Sequence, residues 1–135
     1  MKTNMIRNVS LALLATASLF AQDKFSLKAQ VPFTFHVGNA ILPAGEYMVD
    51  TTAMQGVVRV RSSDGSLSAM VLTSGISKSP GTTAPRMVFN KYGDTYFLSQ
   101  VWPRVAGGRA LQPTKSEIQE ARNAGPSTES IIAAK

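Results

Sequence analysis

The sequence contains no cysteine and only one histidine in 135 residues. Without cysteine the chain has no disulfide, no thiol nucleophile, no thiolate metal site and no cysteine for an N-terminal lipid anchor. A zinc site usually needs three or four nitrogen, sulfur or oxygen ligands, and His36 has only scattered carboxylates to join it. The sequence therefore predicts no metal and no cofactor.

The methionines offer no better metal site. A soft copper site could combine thioethers with His36, but the methionines are irregularly spaced. We expect them to fill gaps in a core, as methionine commonly does. The residues concerned are Met48, Met54, Met70 and Met87.

Paired carboxylates suited to hydrolysis are also missing. Among the eight acidic residues, only Glu46 and Asp50 share a face of one predicted strand. Four residues along a strand separate them by about 13 Å, which is too far for either glycosidase geometry. No glycine-rich phosphate loop precedes a helix, and no serine elbow is present. We therefore predict that the protein is not an enzyme and has no catalytic residues.

Residues 1–21 have the pattern of a secretory signal peptide. Lys2 and Arg7 precede an apolar run over residues 9–20, and Ala21 stands before the polar residues 22–24. The apolar run is shorter than the roughly 20 residues that a membrane-spanning helix needs. We expect cleavage after Ala21, with a second candidate site at residues 15–17, and a secreted or periplasmic product that is not transmembrane.

The charge balance is basic but moderate. Removing Lys2 and Arg7 lowers the formal net charge from +6 to +4, and the remaining charges are spread along the chain. Nucleic acid is not an expected partner of an exported protein. An anionic polysaccharide or lipid surface remains an open alternative.

Residues 25–37 are apolar at every second position, which indicates a strand with one buried face. Pro32 cannot donate a hydrogen bond to a ladder, so we predict two strand segments hinged there. Two uses of this segment stay open. It is either the first strand of its own domain or a strand donated to the sheet of a neighbouring copy.

The rest of the chain reads as short strands and turns, followed by a helix. We predict strands over residues 46–51, 57–61, 67–74, 86–91 and 95–102. Residues 78–85 are a predicted loop, and Gly107 and Gly108 a flexible joint. Thr114 and Glu117 form a predicted capping box for a surface helix over residues 114–123. We expect residues 127–135 to form a flexible tail.

The strand over residues 95–102 is apolar on both faces. Strict alternation places Tyr96, Leu98 and Trp102 on one face and Phe97 and Val101 on the other. One face should meet the core, and the other needs a cover. We expect that cover to come from the chain itself, with another protein as the alternative.

A candidate contact surface combines basic residues on the predicted strands with aromatic residues close to two of them. Such a set could stack on sugars or hold an anionic polymer, although solvated arginines and core aromatics would produce the same pattern. The candidates are Arg59, Arg61, Arg86, Lys91, Tyr92, Tyr96 and Trp102.

Several segments resemble a family of small exported bacterial β-rich proteins. They are VPFTF at 31–35, LPAGEY at 42–47, VFNKYGD at 88–94 and YFL at 96–98. The resemblance spans about residues 30–111 and consists of turn and strand residues. It implies a shared fold and export. The function of that family is not established, so the resemblance implies no site residue.

Together these patterns predict a signal peptide (1–21), an all-β domain (22–112) and a short helix with a tail (113–135). The expected fold is an antiparallel β-sandwich or small, partly closed barrel of about seven or eight strands. The expected function is non-catalytic contact at the cell envelope or outside the cell, with itself or another envelope protein as partner.

Overall fold

The structure, a computed structural model, describes residues 26–77, 84–103 and 107–135. The predicted signal peptide and most of the predicted loop over residues 78–85 lie outside these ranges. The described residues form ten strands and one helix: β1 (Leu27–Val31), β2 (Phe35–Val37), β3 (Ala40–Leu42), β4 (Gly45–Met54), β5 (Val57–Ser62), β6 (Ser68–Ile76), β7 (Arg86–Tyr92), β8 (Thr95–Trp102), β9 (Gly108–Leu111), α1 (Lys115–Ala124) and β10 (Thr128–Ala133). The predicted all-β class with one short helix is confirmed.

The strands form one mixed sheet that curls into an open barrel. Its order is β1-β4-β5-β6-β9-β8, and β8 continues on its other side to β7 and β10. The β2–β3 hairpin joins the sheet through a parallel pairing of β2 with β8. The two outer edges meet where Lys28 and Lys135 exchange backbone hydrogen bonds of 3.2 and 2.9 Å. No ladder joins β1 to β10, so the barrel is only partly closed.

The alternation in residues 26–37 places every second side chain in the core. Leu27, Ala29 and Val31 on β1 are buried, as are Phe35 and Val37 on β2. The chain leaves the strand conformation after β1 and resumes it at β2, so the predicted hinge near Pro32 is confirmed. β1 pairs in register with β4 of its own chain. In the structure the segment forms the first two strands of the chain's own sheet.

Aromatic rings fill the middle of the barrel. Phe35 meets the ring of Tyr47 at 5.1 Å and that of Phe89 at 5.4 Å between centroids, both edge to face. Phe33 packs edge to face on Phe89 at 5.0 Å. The Tyr47 hydroxyl donates a 2.6 Å hydrogen bond to the carbonyl oxygen of Pro43. This hydrogen bond replaces the water that the hydroxyl loses, so the buried Tyr47 side chain carries its polar group at little cost in desolvation.

A bulge in β8 changes which of its side chains face the core. Val88 pairs with Gln100, whereas Phe89 pairs with Leu98, so Ser99 is an extra residue in the ladder. Beyond it the parity reverses, and Leu98 and Val101 both join the core cluster. The prediction that placed Leu98 and Trp102 on one face was therefore wrong.

The opposite face of β8 is also covered. Phe97 and Trp102 lie there, and both are buried. His36 stacks on Phe97 at 4.4 Å between ring centroids, and the Arg86 guanidinium carbon lies 4.9 Å from the centre of the Trp102 ring. Much of the cover thus comes from the chain itself, as the sequence led us to expect.

In the predicted joint at Gly107 and Gly108, Gly108 is instead the first residue of β9. Gly108 lies against the indole ring of Trp102, where a Cβ atom would come within 2.6 Å of a ring carbon. Only glycine permits so close an approach of backbone to ring. Gly108 is therefore required by packing, and the prediction of flexibility was wrong at this residue.

The predicted flexible tail forms the strand β10. It pairs antiparallel with β7 over six residue pairs, from Thr128 with Lys91 to Ala133 with Arg86. Ile132 packs against the core, and the Ala134 amide donates to the Pro85 carbonyl oxygen at 2.9 Å. The barrel thus includes residues that the sequence reading assigned to the tail, and that reading was wrong for 128–133.

Candidate contact surface

The structure separates the seven residues of the predicted contact surface. Arg59 and Arg61 point outward from β5, between β4 and β6. Arg86 and Trp102 are cross-strand partners on β7 and β8, in another part of the sheet. Arg86 is itself buried and donates to the carbonyl oxygen of Ala84 at 3.1 Å.

The three remaining candidates take part in packing. Tyr96 stacks on Phe33 with ring centroids 3.7 Å apart, and the Lys91 ammonium lies 5.4 Å from the Tyr96 ring. Tyr92 is buried on the opposite face of β7, beside α1. The prediction that all seven form one surface was therefore wrong, because β7 and β8 use both their faces for internal contacts.

Arg59 and Arg61 do belong to a coherent surface, which we call the β4–β6 outer face. It consists of the outward side chains of three adjacent strands: Met48, Asp50, Met54, Val57, Arg59, Arg61, Ser68, Met70 and Leu72. Their neighbours in sequence on β5, Val58 and Val60, point into the core. The alternation of side chains along each strand therefore determines which residues lie on this face.

One end of the β4–β6 outer face is apolar and exposed. Met54, Val57 and Leu72 form a single cross-strand row, and Met70 lies in the next row beside Arg59. The exposed fractions are 59% for Met54, 65% for Met70 and 75% for Leu72. Only Met87 among the four methionines considered is fully buried. The expectation that all four fill the core was wrong for Met48, Met54 and Met70, which lie on the outer face.

The charges beside this apolar end are paired. Arg59 Nη2 lies 3.3 Å from Asp50 Oδ2, and Lys28 Nζ at the rim lies 3.4 Å from Glu46 Oε1. Asp50 also accepts hydrogen bonds from the Thr52 amide and hydroxyl and from the Ala53 amide. Burial raises the pKa of Asp50, but these bonds and Arg59 outweigh it and lower that pKa overall. The pair is therefore ionised at neutral pH.

A second candidate region lies where α1 covers the outer side of β7. Thr114 caps the helix, and its hydroxyl accepts from the Glu117 amide at 3.2 Å, as predicted. The Glu117 carboxylate does not complete the predicted capping box. It is buried against β7, where it accepts from the Tyr92 hydroxyl at 2.9 Å and from Asn90 Nδ2 at 3.1 Å. Burial, followed by the bond to Glu117, raises the pKa of Tyr92.

Shallow clefts flank α1. One of about 530 Å³ lies between the helix and the barrel, lined by His36, Thr95, Phe97, Lys115, Ser116, Gln119 and Glu120. Another of about 320 Å³ is more apolar and lies beside Tyr92, Ile118 and Ala121. The smaller cleft is also lined by Glu117, whose carboxylate accepts from the Tyr92 hydroxyl. Among the described residues, no three histidine or acidic side chains come together as a metal site.

Replacing Glu117 with alanine is expected to lower the free energy of unfolding by about 1–3 kcal/mol, because Tyr92 and Asn90 lose a buried acceptor. Urea denaturation measures this loss. Glu120→Ala is the matched control, since Glu120 lies on the same helix outside the buried contact, and a surface change of this kind stays within about 0.5 kcal/mol. Equal losses in the two variants would show that Glu117 does not anchor the helix.

None of the helical residues that the structure describes forms a segment with the length and hydrophobicity needed to span a membrane. Comparison with known proteins gave no assignment: no protein-family model, curated protein or solved structure matched the chain.

Proposed function

We propose that the protein is an exported, non-catalytic β-domain that acts by direct contact at the cell envelope or outside the cell. The observation that carries the contact role is the exposed apolar end of the β4–β6 outer face, where Met54 on β4 and Met70 and Leu72 on β6 lie on either side of β5. Contiguous apolar side chains on a surface are typical of interaction sites. The support for export is the basic and apolar pattern of residues 1–21.

A protein partner fits this surface better than an anionic polymer does. Arg59 is paired with Asp50, Lys28 is paired with Glu46, and Arg86 is buried over Trp102. Three of the cations that would attract a polysaccharide or an anionic lipid are therefore engaged inside the domain. Apolar side chains, which gain from leaving water, are the most exposed part of the face.

Donation of the first strand to a neighbour is also less favoured. Leu27, Ala29 and Val31 are buried in the chain's own barrel, and β1 is hydrogen-bonded along β4. A donated β1 would leave three core positions empty unless another copy refilled them. Contact through an outer face requires no such exchange.

Photo-crosslinking in the cell that naturally makes the protein tests this proposal. A photoreactive amino acid at position 70 is expected to give adducts with a second polypeptide in the extracytoplasmic fraction. The same amino acid at position 41 is the matched control, because Ile41 is 61% exposed but lies on β3, away from the β4–β6 outer face.

Two results would contradict the proposal. One is the absence of any adduct at position 70 when the protein is abundant. The other is a protein that stays in the cytoplasm with residues 1–21 still attached, as determined by fractionation and intact-mass measurement.

A further inference from the structure

We propose that a cleft at one end of the barrel, which we call the Arg109 cleft, binds a small molecule with a carboxylate group and a short apolar body. The cleft lies between the end of β4, the end of β6 and the start of β9, and its lining includes Thr51, Thr52, Gly75, Ile76 and Arg109. Its volume is about 410 Å³, within the range typical of sites for small ligands. The inference goes beyond the contact role proposed for the β4–β6 outer face and does not depend on it.

Arg109 lies on the inward face of β9. Its cross-strand partner on β8 is Val101, which is fully buried in the core. Directly paired residues of an antiparallel ladder place their side chains on the same face of the sheet. Leu111, two residues further along β9, packs against the core as well. Because Arg109 is only half-buried, its guanidinium lies at the open end of the barrel interior.

The guanidinium of Arg109 is held in place by β6. Nε donates to the Thr73 hydroxyl at 2.9 Å, and Nη2 donates to the Thr73 carbonyl oxygen at 2.8 Å. The Thr73 hydroxyl is itself fixed, since it donates to the Gly56 carbonyl oxygen at 3.0 Å. These bonds form without a ligand, so binding need not order the arginine side chain.

Nη1 of the same guanidinium is available to a ligand. Among the described residues, neither ion pair includes Arg109, and its hydrogen bonds use only Nε and Nη2. The cross-strand partner of Arg109 on β6 is Gly75, where a Cβ atom would lie only 3.2 Å from Nη1. The absence of a side chain at Gly75 leaves the space beside Nη1 open. A half-buried cation in a cleft with no acidic partner favours an anionic ligand.

The chemistry of the Arg109 cleft favours a carboxylate among anions. A carboxylate oxygen accepts a short, charge-assisted hydrogen bond from a guanidinium N–H group. The hydroxyl of Thr51, another lining residue, is a second donor of the kind a carboxylate accepts. One cation balances one negative charge, which suits a monoanion better than a phosphate dianion. Asp50, next to Thr51 in the sequence, does not supply that charge, because it is paired with Arg59 at 3.3 Å.

Glycine and isoleucine residues make up much of the remaining lining. Glycine leaves room close to the backbone, and isoleucine offers an apolar contact. The body of the ligand is therefore expected to be apolar and only a few carbon atoms long.

A titration followed by nuclear magnetic resonance tests the proposal, with hexanoate as the probe and hexanol as its uncharged match. The isotope-labelled protein is expressed from residue 1 and purified in the form that the host leaves. Hexanoate is expected to shift the amide signals of Gly75 and Arg109, and the Nε–H signal of Arg109, until they saturate. It is expected to bind at least about tenfold more tightly than hexanol, because only hexanoate forms a charge-assisted hydrogen bond.

Two variants remove different parts of the Arg109 cleft. Arg109→Met keeps an unbranched side chain but removes the charge, and it is expected to weaken hexanoate binding at least about tenfold. Gly75→Val keeps the charge, fills the space beside Nη1 and is expected to weaken binding to a similar extent. Valine is favoured in strands, so this variant is expected to stay folded.

Arg122→Met is the matched control, because Arg122 is an exposed arginine on α1. It removes the same charge from another part of the surface and is expected to bind hexanoate as the wild-type chain does. Circular dichroism checks that each variant is folded. If Arg109→Met does not fold, the result for Gly75→Val decides.

Hexanoate that binds no more tightly than hexanol, or that shifts neither Gly75 nor Arg109 to saturation, would overturn the proposal. So would a folded Arg109→Met or Gly75→Val variant that binds hexanoate as tightly as the wild-type chain. Inorganic phosphate that displaces hexanoate at equal concentration would contradict the preference for a carboxylate. Crosslinking from position 70 tests the contact role separately, so neither experiment decides the other.

Discussion

Deletion of residues 127–135 is expected to unfold the protein or leave it barely stable. β10 contributes six residue pairs to the ladder with β7. Each hydrogen bond is worth about 1 kcal/mol net, and whole domains are stable by only about 5–15 kcal/mol. The deletion also removes Ile132 from the core and the backbone bonds between Lys135 and Lys28. The open edge of β7 would then promote aggregation.

Thermal denaturation followed by circular dichroism measures this effect. The control is Ile131→Ser in the full chain, because Ile131 points outward from the same strand and is 60% exposed. It is expected to change the free energy of unfolding by no more than about 0.5 kcal/mol. A truncated protein with the melting temperature of the full chain would show that residues 127–135 are a tail.

Replacing Phe89 with alanine is expected to lower the free energy of unfolding by about 3–5 kcal/mol. Phe89 is fully buried and takes edge-to-face contacts from Phe33 at 5.0 Å and from Phe35 at 5.4 Å. Its removal leaves a cavity and ends both aromatic pairs. β7 is hydrogen-bonded to β8 on one side and to β10 on the other. Its backbone therefore cannot easily move to fill the space.

Urea denaturation of Phe89→Ala, Phe89→Leu and Leu72→Ala separates the effect of the lost core volume from the effects of losing the aromatic ring or an exposed side chain. The leucine variant keeps most of the apolar volume and should lose clearly less stability than the alanine variant. Leu72→Ala removes an exposed side chain, and it should cost no more than about 0.5 kcal/mol. A cost for Phe89→Ala as small as that for Leu72→Ala would contradict the packing described for the barrel.

The fold class could be predicted because the strands carry local signals. Alternation from Leu27 to Val37 places buried and outward positions correctly, and Pro32 marks the end of β1. The bulge at Ser99 could not be predicted from alternation. The residues around it in β8 are apolar at positions on both faces, so the pattern does not show where the direction of the side chains changes. Register in β8 is decided by the partners on β7, which lie in another part of the sequence.

The C-terminal strand illustrates a second limit. Residues 127–135 contain only Ile131 and Ile132 as large apolar residues, which is too weak a pattern to indicate a strand by itself. Pairing with β7 supplies the hydrogen bonds that local sequence does not predict. In the same way, Glu117 has the spacing of a capping residue, but a tertiary contact with Tyr92 determines where its carboxylate lies.

Only part of the candidate site could be read from the sequence. The outward direction of Arg59 and Arg61 follows from alternation with Val58 and Val60. The aromatic candidates were misassigned because residue type does not show whether a ring is exposed. The exposed methionines were missed for a related reason. The alternation of the strand did carry a signal. Met70 and Leu72 alternate with the inward Ala69 and Val71, and Met70 pairs with Arg59, whose charge indicates an outward face.

Hydrogen exchange measured by mass spectrometry on the full chain tests most directly the claim that β1 and β10, the first and last strands, complete one barrel. Amides in β1 and β10 are predicted to exchange slowly, with protection comparable to that of β5 in the middle of the sheet. Exchange of either end strand at the rate of an unfolded peptide would contradict this claim. The case for contact through an outer face, rather than through a donated strand, would fail with it.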